Sequence, residues 1–302
     1  MADATGFIGL GQMGGPMVRR LAGAGIQVVA YDPDPEAAAR VRGPNVVIAD
    51  SPVAVGNKCR TVLLSLPTPD IVREVALGEK GVGKGSLVRT IVDLSTTGPV
   101  AAREIGQELQ VLGILLVDAP VSGGTSGATN GTLSLMVAGF ADAIDSAKDV
   151  LAILGKTIVV GDQCGQGQLV KLLNNFLTAT AMAATAEAVA LGVKGGLDRK
   201  VMLDVFNASS GRNTATADKF PRSLLDRSFN FGFRSDLMLK DVKLATETAD
   251  ALGAPLWIGS VVRQMWAATV SRVGSGDFTR IAESAELSAG ISADAEYPRN
   301  SG

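Results

Sequence analysis

The sequence predicts an α/β chain in which a doubly wound parallel sheet fills the first half, one long helix follows, and the second half is all-α. Three observations predict it. Between Thr5 and Val160, short runs rich in Val, Ile and Leu alternate with segments of helical spacing. Most of those runs are continuously apolar, as strands buried on both faces of a parallel sheet must be. After Gly165 no convincing strand run recurs.

The expected strands are Thr5 to Gly9, Gln27 to Tyr31, Val46 to Ile48, Thr61 to Leu66, Leu87 to Leu94 and Leu115 to Ala119, completed by Thr132 to Val137 and Thr157 to Val160. Met13 to Ala24, Asp70 to Ala76, Val100 to Leu112 and Ala141 to Leu154 have helical spacing, most with Gly, Pro, Ser or Thr at their ends. Strand, helix and strand in that order make a βαβαβ layout. From Gln168 to Lys194, apolar residues recur at Leu169, Leu172, Leu173, Phe176, Leu177 and Met182, the period of a single long helix. Lys200 to Asn207, Phe220 to Asp226, Asp236 to Leu252, Trp257 to Val273 and Thr279 to Glu286 read as further helices. Two domains are expected, 1–163 and 164–302, with a loose tail beyond Gly290.

Composition narrows the function. The chain has 302 residues, 46 % hydrophobic and 19 % charged, which excludes disorder as its main state. Lys and Arg number 28 against 30 Asp and Glu, so no net positive field recruits nucleic acid or a membrane surface. With no histidine, imidazole bases, His-centred triads and histidine metal sites are unavailable, and no metal is expected. Cys59 and Cys164 stand too far apart for a C-x-x-C site and read as reduced thiols. No basic leader precedes the first strand, so a cytoplasmic location is expected. The apolar stretch Phe176 to Val193 is mostly Ala and Thr and contains Glu187, which reads as a packed helix rather than a membrane span.

Directly after the first strand comes Gly9-Leu10-Gly11-Gln12-Met13-Gly14, then a helix. In a G-x-G-x-x-G turn the first Gly permits the bend, the second lets a pyrophosphate approach the backbone, and the third allows close helix packing. Asp32 ends the second strand, where a carboxylate accepts from both ribose hydroxyls and repels a 2′-phosphate. NAD is therefore the expected cofactor and NADP the less favoured one. Arg40 and Arg42 downstream offer a 2′-phosphate site in principle, but read more simply as solvated charges.

Asp118-Ala119-Pro120-Val121-Ser122-Gly123-Gly124 forms a second glycine cluster, whose backbone N–H groups beside a hydroxyl suit a carboxylate. Lys171 and Asn175 lie four residues apart on the long helix and share a face. Taken alone they read as a solvated helical face, as do Lys240 and Asp241.

Together these motifs resemble one family. Gly6 to Met17, Asp118 to Gly124, Gly165 to Asn175 and Leu239-Lys240-Asp241 are similar to the β-hydroxyacid dehydrogenases, which include 3-hydroxyisobutyrate dehydrogenase, tartronate semialdehyde reductase and, more distantly, 6-phosphogluconate dehydrogenase. The resemblance spans about Gly6 to Glu286. It implies a Rossmann domain, a connecting helix and an all-α domain that also serves oligomerisation, and an NAD-dependent enzyme that interconverts a small 3-hydroxy carboxylate and its semialdehyde.

Carried over by position, the resemblance implies that Lys171 is the acid/base and that Asn175 positions the substrate. Ser122, Gly123 and Gly124 would bind the substrate carboxylate, and Lys240 would reach cofactor or substrate. Gly9, Gly11, Gln12, Met13, Gly14, Asp32, Leu66, Pro67 and Thr96 would hold the cofactor. A homodimer or homotetramer is expected from the family and from the small residues of Ala179 to Ala190. Two alternatives carry other functions: an imine reductase, against which the lysine at 171 counts, and a catalytically silent dinucleotide-binding module.

Overall fold

The computed structural model describes residues 4–291, so the expected tail, residues 292–302, lies outside the described residues. The chain divides into two compact units that part between Lys171 and Leu172.

The first unit runs β1 (Thr5–Ile8), α1 (Gly14–Gly23), β2 (Val28–Tyr31), α2 (Pro35–Ala39), β3 (Val46–Ile48), α3 (Pro52–Gly56), β4 (Thr61–Leu64), α4 (Pro69–Leu77), β5 (Thr90–Asp93), α5 (Pro99–Val111), β6 (Leu115–Asp118), β7 (Val121–Ser122), α6 (Gly124–Asn130), β8 (Leu133–Ala138), α7 (Ala141–Leu154) and β9 (Gly155–Gly161). The sheet order is β3-β2-β1-β4-β5-β6-β8-β7, with β9 beside β8. The first six strands are all parallel. β8 is antiparallel to β6 and β7 and parallel to β9, so the sheet is parallel-dominated rather than uniformly parallel.

Neighbouring residues of one strand point to opposite faces, and each face has its own core. Phe7, Leu63, Val92 and Val117 pack with Met17, Leu21, Ala147 and Leu151 from α1 and α7. Ile8, Val62, Leu64, Ile91 and Leu116 pack with Val55, Val72, Ile105 and Leu109 from α3, α4 and α5. This double burial explains why the strands are apolar at every position rather than alternating. At about 25 cal/mol per Å², it is also the main favourable term holding the unit together.

The helices α2, α3 and α6 and the two-residue strand β7 escape the sequence expectation. Each helix has only five to seven residues, too few for an apolar period to develop. The start signals of two are nevertheless written locally: Asp34 caps α2 and Ser51 caps α3, each followed by Pro in the first turn.

The second unit continues α8 (Gln166–Lys194) and adds α9 (Arg199–Ala208), α10 (Phe220–Ser223), α11 (Ser235–Ala251), α12 (Gly259–Val273) and α13 (Ile281–Ser288). One π-helical turn, Ala215–Lys219, precedes α10, and one 3-10 turn, Phe278–Arg280, precedes α13. No strand occurs among its described residues. Its core is centred on Trp266, whose ring stacks on Phe278 with centroids 6.5 Å apart and whose Nε1 donates to Ala179 O at 3.3 Å. Glu286 closes the unit, accepting from Arg199 at 2.8 Å and Arg227 at 2.6 Å.

By length and composition α8 could cross a membrane. In the second unit, however, Ala179, Met182, Ala183, Ala186, Val189, Ala190 and Val193 all belong to the core around Trp266. These seven residues serve packing within one chain, whereas Ala184 and Ala188 of the same stretch are exposed.

The units part eight residues beyond the expected boundary at 163/164, inside α8 rather than before it. The reason is local. Gln168 N donates to Asp118 Oδ2 at 2.8 Å, and Gln168 Oε1 accepts from Thr97 N at 2.9 Å and Gly98 N at 3.1 Å, which binds the first turn of α8 into the sheet domain.

Asp118 itself is fully buried, with Oδ1 lacking a hydrogen-bond partner. Burial, opposed by the Gln168 and Gly165 backbone N–H groups and reinforced by the charge of Asp93, pushes its carboxyl up to about 7. Between the unfolded value near 4 and the folded value near 7, the native state holds a proton that the unfolded chain releases. This group's contribution to stability is therefore full below that window, falls as pH rises through it and levels off above. Asp118→Asn should remove that part of the slope, measured as urea midpoints across pH 4 to 8.

Candidate active site

In an open α/β sheet the loops at the carboxyl ends of the parallel strands form the ligand-binding edge. Gly9 to Met13 follow β1, Asp32 follows β2, Leu66 and Pro67 follow β4, Thr96 follows β5, and Ser122 to Gly124 lie beyond β6. The topology thus gathers every expected site residue of the first unit except Lys171 along that edge, and Lys171 stands at the second turn of α8.

The glycine turn matches its expected division of labour. Gly9 has φ of 95°, and a Cβ on it would lie 2.2 Å from Ser65 O. A Cβ on Gly14 would lie 1.8 Å from Gly9 O, so only glycine lets α1 start this close to β1. A Cβ on Gly11 would meet nothing within 4 Å. The open space beside Gly11, together with the α1 N-terminus, fits a pyrophosphate.

Asp32 has a second task that sequence reasoning missed. Its Oδ2 accepts from Leu10 N at 2.6 Å and its Oδ1 from Asp34 N at 2.8 Å, so the carboxylate braces the glycine turn. Each oxygen keeps further acceptor capacity for a ribose diol. Arg40 is exposed and pairs with Asp34 at 3.7 Å, and Arg42 is exposed as well.

The β4 and β5 loops are tied together. Leu66 N donates to Ser95 Oγ at 2.9 Å, Ser95 N donates to Asp93 Oδ1 at 2.9 Å, and Thr97 Oγ1 donates to Asp93 Oδ2 at 2.5 Å. Thr96 sits half-buried between those two anchored neighbours. Asp93 pairs in register with Asp118 on the next strand. Cys164 Sγ donates to Leu116 O at 3.1 Å, and burial beside Asp118 pushes this thiol up to about 12, which makes it unreactive. Ser122 ends β7, half-buried, and Gly123 and Gly124 have φ of 128° and 62°, conformations that admit glycine and turn the chain into α6.

On α8 the structure departs from the simplest reading of the sequence. Lys171 and Asn175 are 8 % and 7 % exposed, so they do not form a solvated face, whereas Leu173 on the same helix is 49 % exposed. In the second unit, Asn175 Nδ2 donates to buried Asp241 Oδ2 at 2.6 Å, and Lys240 Nζ lies 3.1 Å from Asp241 Oδ1. One carboxylate thus orients the Asn175 amide, whose oxygen accepts from Asn174 Nδ2 at 3.3 Å, and pairs with the Lys240 ammonium. Sequence reasoning gave Asp241 no role, although its place after Lys240 in the Leu239-Lys240-Asp241 motif was the available signal.

Comparison with known proteins agrees with this geometry. Residues 4–161 match the NAD binding domain of 6-phosphogluconate dehydrogenase, and residues 165–284 match the domain described as NAD-binding of NADP-dependent 3-hydroxyisobutyrate dehydrogenase. The mitochondrial 3-hydroxyisobutyrate dehydrogenase of Mus musculus is 35 % identical over 88 % of this chain and 82 % of its own length. The 3-hydroxyisobutyrate dehydrogenase of Pseudomonas aeruginosa is 36 % identical over 86 % and 90 %. The 2-(hydroxymethyl)glutarate dehydrogenase of Eubacterium barkeri is also 36 % identical, over 86 % and 87 %. The solved Mycobacterium tuberculosis 3-hydroxyisobutyrate dehydrogenase with L-serine superposes with a TM-score of 0.85 at 32 % identity, covering 94 % of this chain and 99 % of its own. Imine reductases at 16 to 21 % identity share the fold, with TM-scores of 0.62 to 0.63.

Fold and relatives define an NAD-dependent oxidoreductase acting on the CH–OH group of a small hydroxy acid. The chain belongs to the β-hydroxyacid dehydrogenase family, together with the 3-hydroxyisobutyrate dehydrogenases.

Two glycine substitutions separate support from binding. Gly14→Ala should cost at least about 2 kcal/mol of stability, because backbone must move away from the new methyl. Gly11→Ala, facing open space, should stay within about 0.5 kcal/mol yet weaken NADH binding. Thermal unfolding and NADH fluorescence titration read the two effects.

Proposed function

We propose that this enzyme interconverts 2-substituted 3-hydroxypropionates, HOCH2–CH(R)–COO⁻, and their semialdehydes, with NAD preferred over NADP. 3-Hydroxyisobutyrate and 2-(hydroxymethyl)glutarate, named for two relatives, both contain this skeleton. L-serine, named with the Mycobacterium tuberculosis structure, contains it too. The observation that carries the proton-transfer role is the burial of Lys171, which a lysine on a solvated face would not have.

The chemistry that a bound NAD would supply is a hydride acceptor for C3 of the alcohol and, in its reduced form, a hydride donor for the aldehyde. In the oxidising direction neutral Lys171 accepts the hydroxyl proton as the C3–H bond breaks, leaving the aldehyde and an ammonium. In reduction that ammonium returns the proton to the carbonyl oxygen. The Asn175 amide, oriented by Asp241, accepts a hydrogen bond that helps to position the substrate, and the backbone N–H groups of Ser122 to Gly124 receive its carboxylate. Lys240 adds positive charge for the cofactor or the carboxylate. Gly9, Gly11, Gln12, Met13 and Gly14 would hold the pyrophosphate, Asp32 the ribose diol, and Leu66, Pro67 and Thr96 the nicotinamide end.

A homo-oligomer is supported by the exposed Leu177, Leu191, Leu197, Val201 and Val205 on α8, α9 and the turn between them, at 55 to 74 % exposure. A light-scattering mass of a single 31.0 kDa chain at micromolar concentration would contradict it.

Lys171→Ala should lower kcat by roughly 10²- to 10⁴-fold while NADH still binds, since the glycine turn and Asp32 are untouched. Steady-state rates over 3-hydroxyisobutyrate, D- and L-glycerate, L-serine and 3-hydroxypropionate identify R, threonate tests a secondary C3 hydroxyl outside this skeleton, and the best acid assayed with NAD and NADP checks the role of Asp32. A kcat above one tenth of wild type would remove Lys171 from the mechanism. Equal kcat/KM with NADP would remove the discrimination assigned to Asp32. Reduction of a cyclic imine without hydroxy acid oxidation would favour imine reductase chemistry.

A further inference from the structure

Gln168 is completely buried, and both its amide oxygen and its amide nitrogen bond one loop. Oε1 accepts from Thr97 N and Gly98 N at 2.9 and 3.1 Å, while Nε2 donates to Ser95 O at 3.0 Å. Those three backbone groups belong to the turn between β5 and α5, in which Thr96 lies. An amide supplies both an acceptor for two N–H groups and a donor for a carbonyl from one uncharged side chain, which an ionised carboxylate of the same length cannot do.

The other end of Gln168 is equally constrained. Its backbone N donates to Asp118 Oδ2 at 2.8 Å. Next to it, a Cβ on Gly167 would lie 2.3 Å from Met136 O and 2.9 Å from Asp118 Oδ2, so the first turn of α8 is seated directly on β6 and β8. Lys171 follows three residues later, about 4.5 Å further along the same helix axis. The chain of contacts also reaches Leu66, whose N–H donates to Ser95 Oγ.

We propose that Gln168 is a positioning residue that fixes the Lys171 end of α8 against the Ser95–Gly98 turn, and so sets the proton-transfer group in register with the nicotinamide end of the cofactor site. The proposal rests on the acid/base role assigned to Lys171. Gln168 touches no reacting atom. Its contribution is geometric, and a displacement of about 1 Å between reacting groups can cost about 100-fold in rate.

The test uses the whole protein. Gln168→Met keeps the side-chain length and abolishes all three side-chain hydrogen bonds, whereas Gln168→Glu keeps the acceptor for Thr97 and Gly98. The Met variant should lower kcat by roughly 10- to 100-fold, leave the NADH dissociation constant within about threefold, and raise the isotope effect with 4-deuterated NADH. Hydrogen exchange of the ligand-free protein should quicken at least about tenfold at the Thr97 and Gly98 amides. The Glu variant should retain that amide protection and recover part of the rate. If the Met variant does not fold, Gln168→Asn, one methylene too short to reach the turn, replaces it with the same expectations.

A kcat within twofold of wild type despite faster amide exchange would make Gln168 purely structural and overturn the proposal. A fall in kcat matched by an equal loss of NADH affinity would overturn it as well. A wild-type enzyme silent with every hydroxy acid would instead overturn the function proposed above, and this inference with it.

Discussion

The in-register parallel pairing of β1 to β6 is the constraint on which the rest of the molecule depends. Parallel strands need crossovers, and the crossovers put helices on both faces. Both faces are then buried, as the two separate cores show. The same arrangement sends the loop after each strand to one edge. Gly9, Asp32, Leu66, Thr96 and the start of the Asp118 to Gly124 segment meet there because the pairing leaves them no alternative.

Close approach of backbone to backbone converts that edge into a site. Gly14 lies against Gly9 O, and Gly167 lies against Met136 O, in each case with no room for a methyl group. Both contacts bring a helix N-terminus onto the sheet. At the first, the N–H groups of the helix N-terminus fit a pyrophosphate. At the second, Asp118 accepts from the helix backbone, at the expense of burying a carboxylate whose other oxygen has no partner. The buried oxygen raises the proton affinity of Asp118, so the anchor of α8 is sensitive to pH although it lies outside the proposed chemistry.

Carboxylates organise the rest of the chemistry from behind. Asp32 braces the glycine turn, Asp93 holds Ser95 and Thr97, and Asp241 orients Asn175 and holds Lys240. Held this way, Asn175 and Lys240 are fixed by an acceptor that is itself buried. The candidate site groups are therefore positioned by side chains that lie behind them.

The sequence by itself determined the fold class, the order of the strands and long helices, the glycine turn and its acidic partner, and the family. These are local or periodic properties: a run of apolar residues reports burial on two faces, and a Gly spacing reports a turn. The short helices α2, α3 and α6 were illegible because periodicity needs length. Only the tertiary structure decided that Lys171 and Asn175 are buried, since a face of a helix is polar or packed according to what other segments bring to it. The roles of Gln168 and Asp241 were likewise decided there. Gln168 meets Thr97 and Asn175 meets Asp241 across 71 and 66 residues of chain, and no pattern in sequence reports a hydrogen bond over such a separation.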